Sequence, residues 1–223
     1  MKRVLILILL PFVTVLSCNA QMDKVSLNQH DDSGRKHGYW EAYEPNGILK
    51  YKGQFEHGIP VGEFVYYYPN KVIKAKSIFS ENGAYCTTEL YHPNAKLMAR
   101  GAYWKQKKDK LWRYYSRHDG VLLSEEEYDK GVKIGTWKNF YANGQVAEQY
   151  SFLNSMIEGE RTHYFTNGQI QLKYEYRNGK KHGSFFSYRI DGELETQGQY
   201  VNDQKKGLWV TVDEEGKRTE VNY

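Results

Sequence analysis

One ten-residue pattern organises this sequence: Gly135-Thr136-Trp137-Lys138-Asn139-Phe140-Tyr141-Ala142-Asn143-Gly144. The same order of glycine, aromatics and turn dipeptide appears near the start of the chain, in Gly38-Tyr39-Trp40-Glu41-Ala42-Tyr43-Glu44-Pro45-Asn46-Gly47. Eight copies align on the residue before the turn, at spacings of 24, 24, 24, 25, 24, 24 and 24 residues: Tyr43, Tyr67, Tyr91, Tyr115, Phe140, Tyr164, Tyr188 and Val212. A fixed period of this length is typical of repeat proteins.

Each copy also contains a segment in which residues alternate between two faces. In the first copy one face carries Leu49, Tyr51, Gly53 and Phe55, with Lys50, Lys52 and Gln54 on the other. Alternation of period two predicts a β-strand with one buried and one solvated face. Between the two segments of a copy lies a dipeptide that tolerates positive φ and therefore predicts a hairpin turn, as in Asn46-Gly47, Asn143-Gly144, Asn167-Gly168 and Asp191-Gly192.

The sequence therefore predicts an all-β fold over residues 36–223. We expect about sixteen short strands in eight hairpins of about 24 residues, forming an elongated, single-layer antiparallel solenoid. One detail stays open. Trp40 and Tyr43 are three residues apart, so either the first strand carries a bulge or aromatic side chains are buried on both faces of the sheet.

The pattern Gly-x-Trp/Phe-x-x-Tyr/Phe-x-x-Asn-Gly, repeated in tandem, resembles the MORN repeat, and the longer second strand resembles the bacterial MORN variant. Bacterial proteins of this type are commonly labelled as antitoxins of toxin–antitoxin systems, the YwqK-like family. The resemblance implies a twisted β-solenoid that acts as a scaffold. The chain departs from the pattern at four positions, where other residues replace the leading glycine or an aromatic: Cys86, Thr88, Arg161 and Val212.

The N-terminus has the features of a secretory signal peptide. A basic start, Met1-Lys2-Arg3, precedes an apolar run too short to span a membrane as a helix. Residues 1–17 are predicted to be the signal peptide, and Val15-Leu16-Ser17-Cys18 resembles a lipobox, which implies acylation of Cys18 and a membrane-anchored lipoprotein of the bacterial envelope. The alternative is cleavage after Ala20, giving a soluble periplasmic or secreted protein. Residues 18–35 are predicted to be a polar tether.

Composition argues against several classes of protein. The 223 residues include two cysteines, too few for a disulfide scaffold or a four-cysteine zinc site, and the net charge of +4 gives no case for nucleic acid. No phosphate loop, His-Glu-x-x-His motif or Gly-x-Ser-x-Gly elbow is present. We therefore expect no enzyme, with no catalytic residue, metal or cofactor. Cys86 is interpreted as a structural thiol, because no motif places a histidine to activate it.

Basic residues cluster at the connections between repeats, where a solenoid brings equivalent positions together. The candidates for one basic edge are Lys105, Lys107, Lys108, Lys110, Lys180, Lys181, Lys205 and Lys206. Such an edge would bind an anionic envelope surface. The alternative is a set of solubilising loop charges that discourages edge-to-edge pairing.

Three functions are compared on these grounds. The first is a non-enzymatic scaffold of the bacterial envelope, anchored at Cys18, that binds a protein partner or an anionic surface. The second is an antitoxin-like protein that neutralises a partner. The third, an envelope hydrolase, is disfavoured because no set of acid, base and nucleophile interrupts the repeat.

Overall fold

The computed structural model describes residues 26–223 and confirms the predicted all-β architecture. No helix occurs among these residues. The seventeen strands are β1 (Gln29–His30), β2 (Lys36–Tyr43), β3 (Leu49–Glu56), β4 (Ile59–Tyr67), β5 (Ile73–Ser80), β6 (Tyr85–Tyr91), β7 (Leu97–Trp104), β8 (Lys107–Tyr115), β9 (Leu122–Asp129), β10 (Val132–Phe140), β11 (Val146–Leu153), β12 (Met156–Tyr164), β13 (Ile170–Arg177), β14 (Lys180–Tyr188), β15 (Leu194–Val201), β16 (Gln204–Val212) and β17 (Arg218–Asn222).

Every strand pairs antiparallel with the next strand in the chain, which gives a single open sheet. Strands β2 to β17 form the eight expected hairpins. Strand β1 adds a short ninth unit, with Gln29 opposite His37 and His30 opposite Lys36. The sheet thus begins inside the segment that the sequence assigns to the tether. The predicted signal peptide and Cys18 lie outside the described residues.

Two kinds of turn alternate along the sheet. Six of the seven connections between repeats have positive φ at both central residues, as at His57 (47°) and Gly58 (83°), which matches the right-handed twist of the flanking strands. Within a repeat a single turn residue has positive φ, a glycine in most repeats, as at Gly47 (79°), and Lys71 or Ala95 (both 65°) in the second and third. Asn46 contributes through its side chain instead, because its Oδ1 accepts a hydrogen bond from the backbone N–H of Ile48 at 3.1 Å. The dipeptide thus makes the predicted hairpin with positive φ at one residue rather than two.

Bulges at the leading glycines set the packing between repeats. Between β3 and β4 the pairing passes from Lys52–Val65 to Gln54–Val61, so residues 62–64 lie opposite Gly53 alone. Gly62 adopts φ of 64°, a conformation that side-chain-bearing residues rarely take. This bulge lays the ring of Phe64 directly on Gly53.

Trp40 and Tyr43 lie on opposite faces of the sheet, which answers the question that their spacing leaves open. The Trp40 ring packs edge-on against Phe55, at 6.1 Å between centroids. Tyr43 is half-exposed, and its hydroxyl donates to the Glu41 carboxylate. Aromatic side chains therefore occur on both faces, and the pairing of β2 with β3 also shifts register between Ala42 and Tyr43.

A column of large aromatic side chains forms the core on the face of Trp40, which we call the aromatic face. Its almost fully buried members come from five of the eight repeats: Phe64, Trp112, Trp137, Phe185 and Trp209. Each ring packs against aromatic side chains near the ends of the neighbouring strands. For example, the ring centroid of Phe64 lies 5.1 Å from those of Phe55 and Phe79. Because a single hairpin is marginal in water, this shared column is what stabilises each repeat on its neighbours.

Candidate functional site

A row of lysines covers the aromatic face. Five lysines occupy the same position of their repeats. Each stands seven residues before the position on which the repeats align, that of Tyr43 in the first: Lys36, Lys108, Lys133, Lys181 and Lys205. Each ammonium lies over aromatic rings, with Lys205 Nζ 4.2 Å from the Trp209 centroid and Lys133 Nζ 4.7 Å from that of Trp137. These are cation–π contacts, in which the ring face attracts the positive charge. We call this set the lysine row.

Most ammonium groups of the lysine row have no carboxylate partner within the described residues. Lys108 is the exception, with Nζ 3.6 Å from Glu126 Oε2. Lys36 donates instead to the Tyr51 hydroxyl at 2.9 Å. Lys133, Lys181 and Lys205 form no ion pair inside residues 26–223, so their charge is balanced only by ring faces and solvent.

The structure divides the eight lysines of the predicted basic edge into groups. Lys108, Lys181 and Lys205 belong to the lysine row. The lysines next to them in sequence are exposed, and their ammonium groups do not lie over an aromatic ring of the described residues: Lys107, Lys180 and Lys206. The remaining two, Lys105 and Lys110, occupy turn and bulge positions with positive φ of 45° and 60°. The strands therefore do not present the eight as a single edge.

Sequence reasoning missed Lys36 and Lys133, although a signal for them was present. Both stand seven residues before their turn-preceding aromatic, Tyr43 and Phe140, as do the other members of the lysine row. Aligning the repeats by position, rather than collecting charged runs, finds the set.

The third repeat holds an open cleft of about 840 Å³ on the aromatic face. Its floor carries small side chains, those of Ala75, Ser77, Cys86 and Thr88. The Ser77 and Thr88 hydroxyl oxygens are 2.7 Å apart, and both residues are buried. Cys86 is a free thiol, as the sequence predicts, and its Sγ lies 3.7 Å from Thr88 Oγ1.

The sixth repeat replaces the core aromatic with a charged cluster. Arg161 Nε donates to Glu148 Oε1 at 2.6 Å, and Asn139 Nδ2 donates to Glu148 Oε2 at 3.0 Å. His163 Nε2 lies 3.0 Å from the same carboxylate. Burial lowers the pKa of His163, against the opposing attraction of Glu148. The Arg161 guanidinium also lies 5.0 Å from the Tyr150 ring centre, so the cluster keeps the column continuous by ion pairing and stacking.

Within residues 26–223, no group of three or more His, Cys, Asp or Glu side chains is placed to hold a metal ion. Across the same residues, no helix has the length and hydrophobicity needed to cross a bilayer.

An open sheet of tandem hairpins defines a β-repeat protein. Four of its hairpins match the family model described as MORN repeat variant, at residues 36–57, 60–83, 133–154 and 157–178. These four matches support a MORN-repeat protein.

Other comparisons add little. No curated protein matches the chain. Among solved structures, the chain is similar to a mutant of S. aureus TarM in complex with fondaparinux, alpha-GlcNAc-glycerol and UDP, with 13% identity and a TM-score of 0.31. That match covers 43% of this chain and 19% of the other, and a further TarM structure gives 14% identity, a TM-score of 0.31 and coverage of 44% and 19%. The chain thus spans about a fifth of the length of these structures.

Proposed function

We propose that this protein is a non-enzymatic scaffold of the bacterial envelope whose aromatic face binds an anionic surface, on the envelope or on a protein partner. Repeats of the MORN type generally act as modules that bind proteins or membranes. The observation that carries the proposal is the lysine row. It repeats with the strands, so neighbouring ammonium groups are about 10 Å apart where adjacent repeats both carry one.

The lysine row suits binding at a surface for an electrostatic reason. Lys133, Lys181 and Lys205 have no carboxylate partner within the described sheet. Each lysine held near an anionic membrane contributes about 1 kcal/mol of binding free energy, and the contribution falls with salt. Holding the ammonium groups over rigid rings also reduces the side-chain entropy that binding costs.

Attachment through Cys18 is the second element of the proposal. Two or three acyl chains on that residue would give a stable anchor, and the polar residues after it would let the sheet reach the surface. Metabolic labelling with a fatty-acid analogue tests this directly. We expect label on the wild type and none on Cys18→Ala; label on both would remove Cys18 as the attachment site.

The binding test compares two triple variants that remove the same number of charges from adjacent positions. Lys108, Lys181 and Lys205 are changed to Met in the first, and Lys107, Lys180 and Lys206 in the control. Vesicles of phosphatidylglycerol and phosphatidylcholine are compared with vesicles of phosphatidylcholine alone, using the chain from residue 21. We expect the first variant to bind the anionic vesicles about 100-fold more weakly than the wild type.

The control decides whether position matters or only net charge. We expect it to lose less affinity, because its lysines are exposed strand residues next to the lysine row and do not lie over the rings. If both variants lose the same affinity, binding depends on net charge and not on the position of the lysine row. Failure of the wild type to bind anionic vesicles in a salt-dependent way would reject an anionic membrane as the surface that the aromatic face binds.

The antitoxin role that the resemblance implies is the alternative proposal, with a toxin as the protein partner. Co-expression with a neighbouring toxin-like reading frame would test it, because neutralisation restores growth only if the two proteins bind. An envelope hydrolase is the least favoured alternative, since its acid, base and nucleophile have no identified residues.

A further inference from the structure

The third repeat lacks both of the side chains that close the aromatic face in most other repeats. Thr88 stands where other repeats place Phe64 or Trp112, and Ala84 stands where the lysine row places Lys108. A third change enlarges the same space, because Ala75 takes the position of Tyr51 in the first repeat. These substitutions fall together on one cleft of about 840 Å³, a volume within the usual range of small-molecule sites.

The backbone of this repeat differs in the same place. Strands β5 and β6 pair without a register shift, with Ser77 opposite Thr88 and Phe79 opposite Cys86. Cys86 replaces the leading glycine, and the bulge is absent. The residues that the bulge would use lie instead in a longer connection that contains Glu81, Asn82 and Gly83, all with positive φ. The cleft is therefore built into the strand pairing and does not depend on one side-chain rotamer.

The walls of the cleft indicate what fits between them. In the second repeat, Phe64 fills the slot between Phe55 and Phe79, at 5.1 Å from each. The equivalent slot of the third repeat lies between Phe79 and Tyr103, and both side chains line the cleft. Since most other repeats of the same fold fill this slot with an aromatic ring, an aromatic ring from outside the chain satisfies the same edge-to-face contacts.

The floor of the cleft adds a polar requirement. Where Phe64 and Trp112 lie on glycines, the cleft presents the hydroxyls of Ser77, from the second repeat, and Thr88, from the third, 2.7 Å apart. Their mutual bond uses one of the two hydroxyl hydrogens, and Cys86 Sγ lies within reach of Thr88 Oγ1, which leaves acceptor lone pairs of the hydroxyls for a ligand. A ring with a hydrogen-bonding edge is favoured over a plain hydrocarbon ring, because the buried hydroxyls would otherwise stay partly unpaired.

We propose that the cleft of the third repeat is a binding site for a small aromatic molecule that carries an N–H or O–H on its ring, of the indole or phenol class. The ring lies between Phe79 and Tyr103, and its polar edge contacts Ser77 and Thr88. This site is separate from the lysine row, which is interrupted at Ala84. The proposal of a ligand site therefore does not depend on whether the lysine row binds an anionic surface.

Ligand-observed nuclear magnetic resonance titration of the full chain tests the proposal, with indole and phenol as probes and cyclohexanol as the non-aromatic control. We expect saturable binding of the two aromatic probes and at least about tenfold weaker binding of cyclohexanol, because the alicyclic ring cannot make the edge-to-face contacts.

Two variants examine the two parts of the site. The double variant Ser77→Gly with Thr88→Phe rebuilds the pair seen at Gly53 and Phe64, so its own ring occupies the slot and indole binding is lost. Thr88→Val keeps the shape of the side chain and removes one hydroxyl. This change should weaken the binding of indole about fivefold and leave the binding of toluene unchanged. Thr87→Phe, an adjacent exposed position, is the matched control and should bind indole as the wild type does.

Three outcomes would overturn the proposal. The first is the absence of saturable binding of either aromatic probe to the wild type. The second is equal affinity for cyclohexanol. The third is unchanged indole and toluene binding in Thr88→Val, which is nearly isosteric and decides the matter even where the double variant does not fold.

Discussion

The indole ring of Trp112 lies flat on the backbone of Gly101, so closely that a Cβ built on Gly101 would overlap the ring. Trp112 is fully buried, and its Nε1 donates to the carbonyl of Ala102 at 2.9 Å. The same contact joins Phe64 to Gly53. The glycine of one repeat and the ring of the next are therefore a single packing unit.

Gly101→Ala should destabilise the protein. The added methyl must displace the Trp112 ring, and overpacking of this kind costs about 1–3 kcal/mol. Denaturant unfolding followed by tryptophan fluorescence measures the change. The control is Ser77→Ala at the equivalent position, where Thr88 leaves space above the strand and only the 2.7 Å hydroxyl contact is lost, at about 1 kcal/mol. An equal free-energy change in the two variants would contradict the packing argument.

The repeat itself was predictable, and this packing unit was not. The 24-residue period and the alternation of Leu49 with Lys50 are properties of sequence alone, and they determine the number and direction of the strands. The bulge that lays Trp112 on Gly101 is a relation between two repeats. It requires a register shift between β7 and β8, which periodicity within one repeat cannot reveal.

Asn143→Ala should cost more stability than Asn167→Ala. The two asparagines occupy the same turn position, and each accepts a hydrogen bond at 3.0 Å from the backbone N–H two residues later. Asn143 also donates to the Thr166 carbonyl of the next turn at 3.0 Å, whereas Asn167 Nδ2 donates only to Gln169 Oε1. The difference in unfolding free energy should be about 1 kcal/mol, and a difference near zero would show that the bond between turns contributes nothing.

Acid should loosen the N-terminal end of the sheet through Asp31. The His57 ring nitrogen, 2.6 Å away, and then the Arg35 backbone N–H lower the pKa of this carboxyl well below its usual value. A lowered pKa contributes stability that is present above the unfolded-state value, near 3.9, and is lost as pH falls toward the folded-state value.

Hydrogen exchange at the Asn28 amide, which donates to the Tyr39 carbonyl, reports on this end of the sheet. We expect the protection of this amide in the wild type to decrease once the pH is lower than about 4. Asp31→Asn should already be less protected at neutral pH and should change little with acid, while Asp32→Asn should behave as the wild type. The same acid response in all three proteins would exclude Asp31 as the titrating group.

Alkali should destabilise the aromatic face, because the surroundings of Tyr114 and Tyr128 disfavour the ionised form of their phenols. Burial, and then the Glu126 carboxylate, raise the pKa of Tyr114 above its ordinary value. For Tyr128 burial is again the larger cause, and the Glu126 carboxylate adds to it. A raised pKa contributes stability that is complete below the unfolded-state value, about 10, and is lost as pH rises through the folded-state value.

The absorbance of phenolate during a pH titration measures this ionisation. Glu126→Gln removes the negative charge, so we expect part of the tyrosine ionisation to move to lower pH than in the wild type. The control is Glu125→Gln, since Glu125 pairs with Arg113 at 2.7 Å and is not among the causes acting on either tyrosine. Identical titrations of the two variants would show that the Glu126 carboxylate has no part in the shift.

The candidate sites show a second limit of sequence reasoning. Runs of basic residues draw attention to Lys107 and Lys108 together, although only Lys108 lies over the aromatic rings. Adjacent residues of a strand point to opposite faces, so a charged run always mixes two surfaces. The cleft was visible in sequence only as departures from the pattern at Cys86 and Thr88. Their meaning depends on the unshifted pairing of β5 with β6, which places both on its floor.

The open sheet predicts an elongated molecule. Sixteen strands form the eight hairpins, and neighbouring strands are about 4.8 Å apart, so a flat sheet would extend roughly 75 Å along the direction of its hydrogen bonds. Twist shortens that distance, which makes the figure an upper value. A compact domain of the same chain length would measure only about 40 Å across.

Small-angle scattering of the monomeric chain from residue 21 distinguishes these shapes, because the maximum dimension differs nearly twofold. We expect a value well above 60 Å, with a distance distribution skewed toward long distances, as the strand spacing requires. The binding mode depends on this result, since an extended face lets separate repeats contact one surface at the same time, and their contributions then combine. A maximum dimension near 45 Å would require the sheet to close on itself, which would enclose the lysine row and reject the scaffold proposal together with the shape.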